Sequence, residues 1–147
     1  MRLPFVTDFA NSVKPGFSFL TQEHDYALVH ESSAFDDGAL IYESPRLRIR
    51  VTRERGQTSF AVRARGDYRD YDAEILAHLL DGATEYSMQN RAPAFTTDAA
   101  AGFLRAHLAK IEELFAPPRA AETIRLGDYL KNDRGEKLFG EGRDRSL

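Results

Sequence analysis

Between Arg46 and Arg65 apolar and polar residues alternate in two runs. Leu47, Ile49 and Val51 oppose Arg46, Arg48, Arg50 and Thr52; then Phe60, Val62 and Ala64 oppose Ser59, Ala61, Arg63 and Arg65. Strand side chains alternate with period 2, so each run reads as a β-strand with one apolar face. A two-residue loop at Arg55-Gly56 pairs Glu54 with Gln57, and sets Val51 opposite Phe60, Ile49 opposite Val62 and Leu47 opposite Ala64. All the large apolar positions then share one face, and a slip of one residue destroys the match. The other face receives Arg48 opposite Arg63 and Arg46 opposite Arg65, like charges that repel.

Other elements follow from the same kind of pattern. Leu3 to about Val13 carries Phe5, Val6, Phe9 and Val13 at helical spacing, with Pro4 in the first turn. Pro15-Gly16 interrupts it, and Phe17, Phe19 and Leu20 predict a second short helix, or one kinked helix, towards Glu23. Residues 26–31 and 39–43 predict two strands joined by a turn at Ser32–Gly38, and Ser44-Pro45 turns the chain into the central hairpin. That turn is expected to place Tyr42 near Leu47 and Leu40 near Ile49. Asp70 is expected to cap a helix over Tyr71–Leu80 that Gly82 stops, and Thr96 or Thr97 to cap another over Asp98–Phe115 that Pro117-Pro118 ends. Ala120–Leu130 has weak helical periodicity. Strands and helices are segregated along the chain, which predicts an α+β fold: a four-stranded antiparallel meander with helices on its apolar face. The expected organisation is one domain over 1–130 and a charged, flexible tail over 131–147.

Composition narrows the classes. The 147 residues contain no cysteine, which excludes disulfides, thiolate zinc sites and cysteine nucleophiles. No stretch approaches the ~20 apolar residues of a membrane span, and the first residues lack a signal-peptide core. A cytoplasmic protein with no membrane partner is expected. The net charge is −3, so any positive surface is local and nucleic acid is a poor partner for the whole chain.

The arginine face of Arg46, Arg48, Arg50, Arg63 and Arg65 is the main candidate site, because a planar guanidinium fork suits carboxylates. Its plain alternative is a solvated sheet face offset by Glu31, Glu43, Glu54 or acids of the tail. Aromatic residues for base stacking are missing from it, which disfavours nucleic acid. The long connection Ala83–Phe95 adds Tyr86 and Arg91 as candidate partner-binding residues. Of the four histidines, His24 and His30 lie too far apart along the chain to share a metal, His107 falls on an apolar helix stripe and His78 at the margin of one. No metal or other cofactor is expected. Asp36-Asp37 reads as turn chemistry, and no nucleophile elbow, Walker loop or dinucleotide fingerprint is present, so no catalytic residue is assigned.

Phe19-Leu20, Ile41-Tyr42-Glu43-Ser44, Arg48-Ile49-Arg50-Val51 and the closing Tyr71…Leu79-Leu80 stretch carry an architectural resemblance over roughly residues 5–115. The pattern resembles small uncharacterised bacterial α+β proteins, some of them similar to immunity proteins of polymorphic toxin systems. The resemblance implies a cytoplasmic binder that occludes a toxin and has no catalytic activity. The segment after Pro118 departs from that pattern. The leading expectation is therefore a non-catalytic protein-binding module for an acidic protein. One alternative is a small-molecule-binding protein or enzyme with a pocket between sheet and helices near His30, Tyr42 and Tyr86. Another is a homo-oligomer that buries the outer sheet face or a sheet edge.

Overall fold

The computed structural model describes residues 9–34, 37–89 and 96–140. The fold is α+β, with an antiparallel sheet of five strands in the order β1-β2-β3-β4-β5. The strands are β1 (Ala27–Ala34), β2 (Asp37–Glu43), β3 (Leu47–Glu54), β4 (Gln57–Ala64) and β5 (Tyr71–Asp72). The central hairpin has the register read from the alternation, from Glu54 opposite Gln57 to Leu47 opposite Ala64. Arg55 and Gly56 both take positive φ, 54° and 78°, as a two-residue hairpin loop of the right twist demands.

Three details depart from the sequence expectation. β1 and β2 run three and two residues further into the Ser32–Gly38 turn, pairing Ser32 with Ala39, Ser33 with Gly38 and Ala34 with Asp37. β2 sits on β3 two residues away from the expected register, with Tyr42 opposite Ile49 and Leu40 opposite Val51. Ser44 causes that shift: its N–H donates to the Leu47 carbonyl and its hydroxyl accepts from the Leu47 N–H, closing a tight turn around Pro45-Arg46. A two-residue shift preserves faces, so the apolar surface survives it. The third difference is the fifth strand. Tyr71 and Asp72 pair with Val62 and Ala61 before the chain turns helical, so Asp72 and not Asp70 caps the helix, accepting from Ile75 N–H at 3.0 Å.

At the amino end α1 (Phe9–Ser12), a 3-10 turn (Lys14–Phe17) and α2 (Phe19–Gln22) replace the two expected helices, and the earlier part of the first lies outside the described residues. Later come α3 (Ala73–Leu80), α4 (Thr97–Leu114), whose Thr96 hydroxyl accepts from Ala99 N–H, and α5 (Pro117–Gly135). One face of the sheet, through Leu40, Tyr42, Leu47, Ile49, Val51, Phe60 and Val62, joins helix residues such as Phe17, Leu20, Ile75, Leu104 and Ile111 in a single core. Burial pushes the Tyr42 phenol up to about 12.

α4 is fastened across this core by Tyr26 donating to Glu112 at 2.9 Å and by the Thr58–Thr97 hydroxyl pair at 2.9 Å. α5 is the larger surprise. Pro117-Pro118 ends α4 but also starts α5, where prolines fit the first turn. The helix runs to Gly135 and a π-helical turn continues over Glu136–Gly140, where the sequence predicts a flexible tail. Residues 141–147 lie outside the described part.

Candidate functional site

Each face of the sheet is a set of rows, because partners directly opposite in an antiparallel ladder point the same way. On the face away from the core, one row reads Ala27–Glu43–Arg48–Arg63 and the next reads His30–Ile41–Arg50–Ala61–Asp72. A third row, Ser32–Ala39–Thr52–Ser59, is small and uncharged. Beyond the first row Arg65 N–H bonds the Arg46 carbonyl, which sets Arg46 and Arg65 side by side. The structure therefore brings Arg46, Arg48, Arg50, Arg63 and Arg65 together on one open surface. Side-chain exposures of 28% to 46% for the four paired arginines show that this surface is wet.

Two carboxylates serve these four cations. Asp70 makes a bidentate pair with Arg63, at 2.8 and 3.1 Å, and also faces Arg50 at 3.4 Å. Burial opposes ionising Asp70, but the Arg63 hydrogen bonds and the charges of Arg63, Arg50 and Lys131 outweigh it. Its carboxyl is held below the usual range. Glu43 is shared more loosely, 3.9 Å from Arg48 and 3.8 Å from Arg65. Among the described residues Arg46 has no ion pair. Of the three acids the sequence offers as counter-charges, only Glu43 reaches the arginines, since Glu31 pairs with Lys14 at 3.0 Å. Asp70 was masked in the sequence by its place before an apparent helix; two-residue strands carry no periodicity that would reveal it.

Tyr86 is not on this face. It is 1% exposed and belongs to a separate cluster on α3 and α5. Its ring stacks on His78 at 4.9 Å and 10°, its hydroxyl donates to Glu74 and its N–H donates to Asp133. Arg91 lies outside the described residues. His78 is fully buried, with Nδ1 2.8 Å from the Glu74 carbonyl and Nε2 accepting from Ser87 N–H at 3.0 Å. Nε2 also lies 3.1 Å from the Ser87 carbonyl. Substituting His78→Leu keeps the volume but leaves Ser87 N–H without its acceptor, so a loss of about 1–3 kcal/mol is expected in urea denaturation.

His30, Tyr42 and Tyr86 are not brought together. His30 is exposed on the open face, Tyr42 is buried under the other, and Tyr86 lies between α3 and α5. A depression of about 290 Å³ lies elsewhere, between the ends of α3 and α4 and the start of α5, lined by Leu79, Gly82, Lys110, Glu113 and Arg119. Among the described residues no three of His, Asp or Glu converge as metal ligands, and no helix is long and apolar enough to cross a membrane. Asp37 accepts from Arg55 N–H at the hairpin tip and Asp36 lies outside the described residues. Comparison of the chain with protein families, with curated proteins and with solved structures finds no match.

Proposed function

We propose that the protein is a non-catalytic, immunity-like binding module whose open sheet face docks an acidic surface of a protein partner. One observation carries the reading: Glu43 and Asp70 are each shared between two arginines, so the face keeps an excess of positive charge in a chain whose net charge is −3. The row of small residues Ser32–Ala39–Thr52–Ser59 beside the arginines leaves room for a flat partner to approach. In this mechanism the partner's carboxylates form charge-assisted contacts to exposed guanidiniums, which raise the on-rate and set orientation. Inhibition then follows from occlusion alone, and no residue performs chemistry.

The test is capture from a lysate of the native host at low and at high salt, using the wild type and a variant with Arg46, Arg48, Arg50 and Arg65 replaced by glutamine. Arg63 is kept because its bidentate pair holds the Asp70 segment in place. A protein retained by the wild type at low salt, released at high salt and lost by the variant supports the reading. Equal capture by both proteins, or an empty wild-type bait at both salts, contradicts it.

A further inference from the structure

The five arginines are not equivalent, and the difference locates where a partner lands. Arg63 is already engaged: Asp70 takes two of its donors in a bidentate pair and draws in Arg50 at 3.4 Å. Asp70 is itself held from the far side, since Lys131 of α5 donates to its carbonyl at 3.0 Å. A partner carboxylate approaching this half would have to displace an internal one that is covalently tethered and already aligned. The other half is different. Glu43 stands at 3.8–3.9 Å from Arg65 and Arg48, beyond hydrogen-bond range, and Arg46 has no ion pair among the described residues. Arg65 is steadied from behind, with Nη1 donating to the Ser44 carbonyl at 2.7 Å, so one of its donors is used on the backbone and the others remain.

Resting on the reading of the open face as a docking surface, we infer that Arg46, Arg48 and Arg65 form its anion-binding subsite, specific for paired carboxylates of an acidic protein segment. Arg46 and Arg65 stand in one row and Arg48 in the next. Rows on one face repeat every two residues, about 6.6 Å. The fitting partner therefore carries two carboxylates at about that separation, one over each row. Arg50 and Arg63, already paired with Asp70, frame the subsite without taking the ligand. Charge complementarity selects the occupant: of three guanidiniums, two share one loosely placed carboxylate and Arg46 has no ion pair among the described residues. The neighbouring row carries His30, Ile41, Arg50, Ala61 and Asp72, and neither it nor the arginine rows hold a Phe, Tyr or Trp for stacking a base.

The experiment is a titration of the full chain with capped hexaglutamate at low salt, followed through the arginine Nε–Hε signals, with hexathymidylate as a second probe. Arg46, Arg48 and Arg65 are expected to shift, with Arg63 still. Affinity for hexaglutamate is expected to fall about tenfold in R46Q/R65Q and to hold within about twofold in R50Q, as losing two charge-assisted contacts implies. Shifts centred on Arg50 and Arg63 would overturn the subsite while leaving the docking face standing. Shifts confined to arginines of α4 and α5, such as Arg105 and Arg119, would overturn both. Tighter binding of hexathymidylate at the same arginines would make the ligand a nucleic acid. Shifts there that depend only on protein concentration would make it a second copy. Either result overturns the inference.

Discussion

Replacing Phe60 by alanine is expected to destabilise the domain by about 3–5 kcal/mol, the usual range for an aromatic ring removed from a packed core. Phe60 is 2% exposed on the core side of β4, opposite Val51, with its ring centroid 6.2 Å from that of Phe103 on α4. The ring therefore joins the sheet to α4, and its loss opens a cavity at that junction. Domains of this size are stable by about 5–15 kcal/mol, so the variant should show a much lower urea midpoint and a fall in thermal midpoint of roughly 10–15 °C. Replacement of the opposite face should behave otherwise. The variant with Arg46, Arg48, Arg50 and Arg65 changed to glutamine removes exposed or loosely paired charges and one hydrogen bond, from Arg65 to the Ser44 carbonyl, and should melt within a few degrees of the wild type. A Phe60→Ala protein with unchanged stability would contradict the assignment of the two faces.

Gly127→Val is the second large effect. Gly127 is buried on α5 because the Tyr71 ring lies flat against it: a Cβ there would stand 2.6 Å from Cε1 and 2.9 Å from Cδ1 of that ring. The ring has nowhere easy to go. Its hydroxyl donates to Asp128 at 2.8 Å, Lys131 lies 5.1 Å above its centre, and Phe115 packs at 5.9 Å. Valine therefore overpacks the junction, with an expected loss of about 1–3 kcal/mol and earlier proteolytic cleavage within α5. Gly102→Ala is the control. Gly102 is exposed on α4 with open space around its would-be Cβ, so alanine should stabilise the helix by about 0.5–1 kcal/mol. If Gly127→Val melts like the wild type, the close packing of α5 on Tyr71 is refuted.

These two sites also mark what the sequence reveals and what it hides. Phe60 belongs to a run whose alternation repeats over two strands, and a period of 2 with matched apolar faces leaves one register. The arginine face follows directly as the complement of that apolar face. Thr96 and Gly82 are equally legible, because a cap and a stop need only their own chemistry. α5 is only partly legible: Ala120–Leu130 shows weak helical periodicity, but the helix's attachment is largely polar and its continuation past Leu130 has no apolar stripe. Only Thr123, Gly127 and Leu130 are buried along it, while Asp128 reaches Arg69 and Tyr71 and Arg134 reaches Asp72 and Glu74. Such pairs join residues some sixty positions apart, as Arg134 and Asp72 are, and no local pattern foretells them. Asp70 is hidden for a similar reason. Its position before an apparent helix resembles a cap, and only the two-residue strand β5 turns it back onto Arg63 and Arg50.

The separation of the faces explains how a small domain can hold an uneven charge distribution without strain. The core side supplies the stability, and the open side tolerates Arg48 opposite Arg63 because Glu43 and Asp70 each bridge two cations. Bridging of this kind leaves guanidinium donors available, which is the property a recognition surface needs.

Which face meets the partner is most directly read by arginine modification with phenylglyoxal, followed by peptide mass spectrometry, on the free protein and on the complex captured at low salt. The account predicts that capture protects Arg46, Arg48 and Arg65 while Arg125 on α5, whose side chain is 73% exposed, reacts as before. Protection of Arg119 and Arg125, with Arg46, Arg48 and Arg65 still reactive, would place the partner on the helices and contradict it.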